Sequence, residues 1–206
     1  MGMAVFTDTF IEVLGLSRTE LSMAYLIGTI GSSIFLTAAG RWYDRFGARV
    51  MITVASLALG LMVWFISVAD LLATALGGST VVTFMLIMLG YFGVRFFGQG
   101  VLTSSSRNVL LVWFVKRRGL VSGVRGVFVS FGFSLAPLLL GWMILAYGWR
   151  EALWIMAFGV GVFFAGLALV FTRDNPASCG LRPDGGLLDD RAITDVTEGP
   201  SQTLRQ

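Results

Sequence analysis

The sequence predicts an all-α, polytopic membrane helix bundle with five transmembrane helices, and three observations carry that prediction. Of 206 residues, 56% are hydrophobic and only 13% are charged, whereas a soluble domain carries about 25% charged residues. Mean hydropathy is +0.81. The apolar residues also fall into long runs without Asp, Glu, Lys or Arg: 21–40, 50–69, 71–94, 126–149 and 152–172. One such charge at mid-bilayer costs roughly 2.5–3.5 kcal/mol on insertion scales, and about 20 residues are needed to cross the hydrocarbon as helix, so each run marks a span.

Taken in order, residues 1–19 come first. Met1 to Phe10 is apolar, but as helix it reaches only about 15 Å, half a bilayer. The segment is therefore expected to be the remnant of a first helix with an extracytoplasmic stretch, a preceding span being absent. Ser17-Arg18-Thr19-Glu20 reads as a capping box, in which hydroxyl and carboxylate satisfy exposed amides at the start of a helix over about 20–40. The second helix covers about 50–69. Gly77-Gly78-Ser79 breaks the third run, so that helix is expected from near Thr80, through Arg95, to about Ser104. The fourth covers about 119–146 and contains Pro137, which removes a backbone donor and predicts a kink. The fifth covers about 150–172. Residues 173–206 carry 4 Arg, 5 Asp, 1 Glu and three of the four prolines, the composition of a solvated and largely disordered linker.

Sidedness follows from the short connections. Arg41, Arg45, Arg49, Arg107, Lys116, Arg117 and Arg118 lie on one side, Arg18 and Arg150 on the other. Seven basic residues against two place the first group, and the 173–206 tail, in the cytoplasm. The pI near 9.5 is thus topological and predicts no nucleic-acid partner.

Composition also excludes chemistry. With no histidine, Ser-His and Cys-His nucleophile pairs and histidine-ligated metals are impossible. The one lysine, Lys116, sits in a connection, and no two aspartates share a span, which removes the remaining nucleophile–base pairs. No enzyme activity, catalytic residue, cofactor or metal is expected, and the single cysteine, Cys179, allows no internal disulfide.

Three motifs remain. The first is Gly40-Arg41-Trp42-Tyr43-Asp44-Arg45-Phe46-Gly47-Ala48-Arg49, where glycines permit a tight turn and Asp44 is able to accept from a helix N-terminus or an arginine. The second is the four-residue recurrence of Tyr91, Arg95, Gln99 and Thr103, one polar stripe on the third helix. An arginine inside a span either faces a water-filled cavity or coupling site, or snorkels and pairs structurally. The third is Trp113-Phe114-Val115-Lys116-Arg117-Arg118-Gly119, whose aromatic and basic side chains suit a membrane-surface anchor. Small residues four apart, Gly119 and Gly123, Ser122 and Gly126, and Ala157, Gly161 and Ala165, predict close helix packing.

The first motif resembles the G-x-x-x-D-R-x-G-x-R signature between helices two and three of the major facilitator superfamily. Arg95-Phe96-Phe97-Gly98-Gln99-Gly100 resembles the R-x-x-x-G or R-x-x-Q-G element of its fourth helix, with Gln99 one place later than in the second form. Trp113 to Gly119, Gly148-Trp149-Arg150, and Asn175-Pro176 through Gly180 to Gly185 resemble the monocarboxylate-transporter-like and oxalate/formate-antiporter-like subgroup. Gly132 to Pro137 partly resembles the G-x-x-x-G-P motif of superfamily antiporters, but Ala136 replaces a glycine, so transport mode stays open.

The resemblance implies helices two to six of a six-helix N-terminal half, with a C-terminal six-helix half absent. It also implies alternating-access movement of a small solute, a monocarboxylate or other small organic anion, across the cell membrane. Arg95, Gln99, Tyr91 and Thr103 would then serve substrate or coupling, and Gly40, Asp44, Arg45, Gly47 and Arg49 a cytoplasmic gate. The alternative is a non-transporting membrane fragment or an assembly partner of a separate C-terminal half. The orientation is directly testable: in intact cells, Cys179 is expected to react with a membrane-permeant thiol reagent only, and labelling by an impermeant one reverses the topology.

Overall fold

In a computed structural model of the protein, which describes residues 5–184, the chain is helical almost throughout. Helix α1 spans Thr7–Leu14, α2 Arg18–Ser67, α3 Ala69–Ala75, α4 Thr80–Trp113, α5 Arg118–Tyr147 and α6 Trp149–Phe171. Of these, α2, α4, α5 and α6 are long and apolar enough to cross a bilayer. The expected capping box opens α2: the Glu20 N–H donates to Ser17 Oγ at 3.2 Å, and Glu20 Oε2 accepts from the Ser17 N–H at 2.7 Å.

The 50 residues of α2 are two spans rather than one, because Gly47 has non-helical backbone angles, φ 79° and ψ 171°. The packing partners fix the direction of each arm. Along the first arm, 18–46, Gly28 meets Phe92 and Leu36 meets Gly100; along the second, 48–67, Ile66 meets Gly90, Met62 meets Gly93 and Leu59 meets Gly98. The first arm therefore runs parallel to α4 and the second antiparallel to it, so the chain reverses at Gly47. Only glycine serves there, since φ is positive and a Cβ would lie 2.6 Å from Asp174 Oδ1.

With the arms counted separately the described residues hold five spans. The expected loop over Arg41–Arg49 is instead helical up to the reversal. The reason is that Gly47 alone breaks the helix, while Gly40 costs only about 1 kcal/mol inside it. An arm of 18–46 is about 43 Å long, so it projects past a hydrocarbon core of about 30 Å and carries its arginines into water. Similarly, α4 continues past the expected end near Ser104 to Trp113, no breaker intervening.

The second arm of α2 sits between α4 and α6. On the α6 side it runs antiparallel, with Ser67 bonded to Trp154 and Arg150 at one end and Arg49 bonded to Leu169 at the other. Midway, Gly60 is seated directly on Gly161. The expected small-residue contact of Gly161 is thus found. That of Gly119, Gly123 and Gly126 is not: none has a neighbouring atom within 4 Å of a notional Cβ, because among the described residues no helix faces that side of α5. Leu140 is the one residue of α5 that is buried.

The principal core gathers at the end opposite the basic residues. Phe6, Phe10 and Leu16 are buried there with Leu21, Ile66, Ile87, Leu140 and Leu153, and Phe10 meets Trp149 edge to face with centroids 6.2 Å apart. Residues 5–14, expected as a helix remnant, thus form a short helical plug at this end. Of the segment expected as a linker, 173–184 follows an ordered path across the basic end, and residues 185–206 lie outside the described residues.

Gly60→Ala should push the second arm and α6 apart and lower stability by about 1–3 kcal/mol, read as a lower unfolding midpoint in detergent. Gly123→Ala, which faces open space, is the control and should be neutral or slightly stabilising. Equal effects at the two positions would contradict this packing.

Candidate functional site

The polar groups inside the bundle converge between the first arm of α2 and α4. Arg95 lies about 22 Å along α4 from its start, and it is half-buried. Its Nε donates to Thr29 Oγ1 at 3.1 Å, and the guanidinium carbon lies 5.0 Å from the centroid of the Tyr25 ring. Tyr25 in turn meets Tyr91 edge to face with centroids 5.7 Å apart. The four terminal N–H groups of Arg95 make no hydrogen bond to the described residues, and no ion pair reaches it.

Beside it, Thr29, Ser32, Ser33, Leu36, Arg95, Gln99 and Gly100 line a cavity of about 140 Å³. The hydroxyl protons of this wall are spent on the helix: Thr29 donates to the Tyr25 carbonyl at 2.7 Å, and Ser32 and Ser33 donate to the Thr29 carbonyl at 2.8 and 3.0 Å. What they turn outward is oxygen lone pairs. Arg95 and the Gln99 amide are the cavity's side-chain donors. The arrangement offers an anion a planar cationic fork, and offers its hydroxyl substituents a row of acceptors.

The four-residue stripe read from the sequence is only partly gathered here. Arg95 and Gln99 line the cavity, whereas Tyr91 is buried behind it against Tyr25 and Thr103 Oγ1 donates to the Gly98 carbonyl at 3.2 Å. The cause is a π-helical stretch over Val94–Leu102, where hydrogen bonds close over five residues and a four-residue spacing no longer holds one face. Sequence reasoning missed Tyr25, Thr29, Ser32 and Ser33. Their signal was present as a helical polar spacing inside an apolar run.

The expected gate divides in the same way. Asp44 is exposed and makes no hydrogen bond or ion pair among the described residues, Arg45 stacks on Phe46 at 5.6 Å, and Gly40 lies within the first arm. The capping role open to Asp44 is filled by Asp174, whose Oδ1 accepts from the Arg49 N–H at 2.8 Å, while Arg49 Nε donates to the Leu169 carbonyl at 2.7 Å. Pro137 stands inside α5, next to its open stretch.

At the opposite end Arg150 donates to Asp70 at 2.6 Å and to the Ser67 carbonyl at 2.7 Å, and lies 4.7 Å from the centroid of the Trp149 ring. Trp154 Nε1 donates to Ser67 Oγ at 2.9 Å. This fastening joins α3 and the second arm to α6. In the sequence Arg150 reads as a span-end charge and as part of Gly148-Trp149-Arg150, and nothing there pairs it with Asp70. Among the described residues no group of three His, Cys, Asp or Glu side chains gathers as a metal site.

The family model of the Major Facilitator Superfamily matches residues 1–193. The chain belongs to that superfamily. It is similar to a multidrug resistance protein B homolog of Mycobacterium tuberculosis, at 29% identity over 85% of this chain and 30% of that protein. It is also similar to a probable L-galactonate transporter of Escherichia coli, at 28% over 79% of this chain and 33% of that protein. A hexuronate transporter of Bacillus subtilis is 26% identical over 79% of this chain and 36% of its own length. The chain thus spans about a third of the length of these relatives. No solved structure matches it. As a superfamily member built from five apolar spans, it is a multi-pass membrane protein.

Proposed function

We propose that the chain is part of a secondary transporter that moves a small organic anion by alternating access, with Arg95 as the group that meets the anion. The observation that carries this is the guanidinium inside the bundle with no acidic partner among the described residues, facing a hydroxyl-lined cavity. An arginine within a membrane is costly unless paired or wetted, and a bound carboxylate supplies the pairing. Several relatives support the class by name: galactarate/D-glucarate, L-galactonate, hexuronate and sulfoacetate are all anions. A monocarboxylate is the narrower version, consistent with the subgroup motifs.

The residues divide the work. Arg95 grips the carboxylate, Thr29 and Tyr25 hold the guanidinium in place, and Gln99 with the Ser32 and Ser33 oxygens orients the remainder of the solute. Alternating access needs two bundles rocking about a shared midplane site, so a second six-helix half supplies the facing wall. Asp44, with no bond among the described residues, is then available to latch the two halves on the cytoplasmic side. The protein sits in the cell membrane with residues 173–206 inside.

In a transporter holding these residues together with the second half, Arg95→Lys should reduce anion uptake about tenfold or more, since charge-assisted hydrogen bonds contribute ~1.5–3 kcal/mol. Membrane insertion should be unchanged. Full uptake by Arg95→Lys would remove Arg95 from the substrate path.

A further inference from the structure

Two of the motifs noted in the sequence have no part in the anion site, and the structure brings them together. Trp113 to Gly119 forms the turn between α4 and α5, and the Pro183-Asp184 pair lies on the strap that follows α6. The Asp184 carboxylate accepts from the backbone N–H groups of Val115, Lys116 and Arg117 at 3.0, 2.7 and 3.1 Å. Its own N–H donates to the Trp113 carbonyl at 2.9 Å. The strap is itself tied down. Trp113 Nε1 donates to the Arg173 carbonyl at 3.3 Å, Asp174 accepts from the Arg49 N–H at 2.8 Å, and the Pro176 carbonyl accepts from Cys179 and Leu181.

The helix that begins at this turn is the least packed of the spans. Within α5, Phe128 is 74% and Leu138 71% exposed, and no atom would meet a Cβ at Gly119, Gly123, Gly126 or Gly132. Its far end is held, because Leu140 is buried and Met143 and Ile144 pack on the core with Leu153. Pro137 stands between the held end and the open stretch, and its missing N–H removes one rung of the helix. A helix fixed at one end, weakened beside the fixed point and bare beyond it has two further attachments among the described residues: Arg118, which donates to the Phe114 and Leu111 carbonyls at 3.0 and 3.2 Å, and the Asp184 clasp, which orders the turn itself.

We propose that the strap after α6 is a conformational clasp: Asp184, by holding the α4–α5 turn, sets the position of the basic end of α5, and its release lets α5 swing about Pro137. The three converging donors stabilise the ionised carboxylate. The N–H of Lys116 first, then those of Arg117 and Val115, hold the Asp184 carboxyl below the usual carboxylate range. The carboxylate is therefore ionised at neutral pH, the form that accepts all three bonds. The proposal is independent of what the protein transports, because it concerns where one helix stands and not what Arg95 binds.

The test uses the full chain in lipid nanodiscs, carrying Cys179→Ser, Val50→Cys and Leu120→Cys for paired spin labels; Val50 and Leu120 are 44% and 69% exposed at the basic end. With Asp184 intact, the distance distribution should be single and narrow. Asp184→Ala should broaden or shift it, and hydrogen exchange over 113–118 should be about tenfold faster, while exchange in 50–66 is unchanged. Asp184→Asn keeps one acceptor oxygen and should fall between the two, and it gives the readout if Asp184→Ala does not insert. Identical distances and exchange rates in wild type and both variants would overturn the clasp, as would a loss of protection spread evenly over all the helices.

Discussion

A guanidinium at the middle of a membrane-crossing helix constrains everything around it. Among the described residues Arg95 has no carboxylate to pair with, so the surrounding elements must present it with oxygen, an aromatic face and access to water. Thr29 Oγ1 and the Tyr25 ring supply the first two, and both come from the first arm of α2. That arm therefore lies alongside α4, and its packing pairs with α4 run in the same direction. Two helices adjacent in a parallel sense need an intervening antiparallel one, and the second arm fills that place.

The reversal that makes this possible is concentrated on one residue. Gly47 turns the chain with a positive φ, and the Asp174 carboxylate occupies the space a side chain would take. The end of α6 thus fastens the turn between the two arms. Ten residues later Asp184 fastens the turn between α4 and α5. Both attachments are aspartates at backbone N–H groups beginning a helix, where exposed donors and the helix dipole favour a negative charge. At the opposite end an ion pair, Arg150 with Asp70, and an aromatic plug, Phe6 and Phe10, do the equivalent work. The middle of the bundle is left to small residues and to the cavity beside Arg95.

Most of this architecture was legible in the sequence. Span number, the capping box at Ser17 and Glu20, the break at Gly77–Gly78 and the separation of basic residues to one end all follow from the cost of charge in hydrocarbon and from helix-terminus chemistry. What escaped has identifiable causes. The turn at Arg41–Arg49 looked like a loop because it is charged, yet charge outside the hydrocarbon does not end a helix and only Gly47 does. Thr103 was assigned to the polar stripe on α-helical spacing, and the π-helical stretch moves it away. Tyr25 and Thr29 carry a weaker sequence signal than Arg95, because a hydroxyl inside a span bonds its own helix at little cost whereas a guanidinium does not. The partnership of Asp174 and Asp184 with turns 125 and about 68 residues away has no local sequence signal at all.

The central claim is that Arg95 faces a wetted, anion-accepting cavity and not lipid. Gln99 shares that cavity and is exposed, so in a Cys179→Ser background a cysteine at position 99 should react with a small negatively charged thiol reagent. A cysteine at Leu57, 49% exposed on the apolar groove shared by the second arm and α6, should not. Reaction at 99 that is slowed by a sugar acid, and slowed further when Arg95 is replaced by glutamine because the reagent loses its attraction, is the result expected. Reactivity at 99 as low as at 57 would place Arg95 in a dry structural contact and contradict the account.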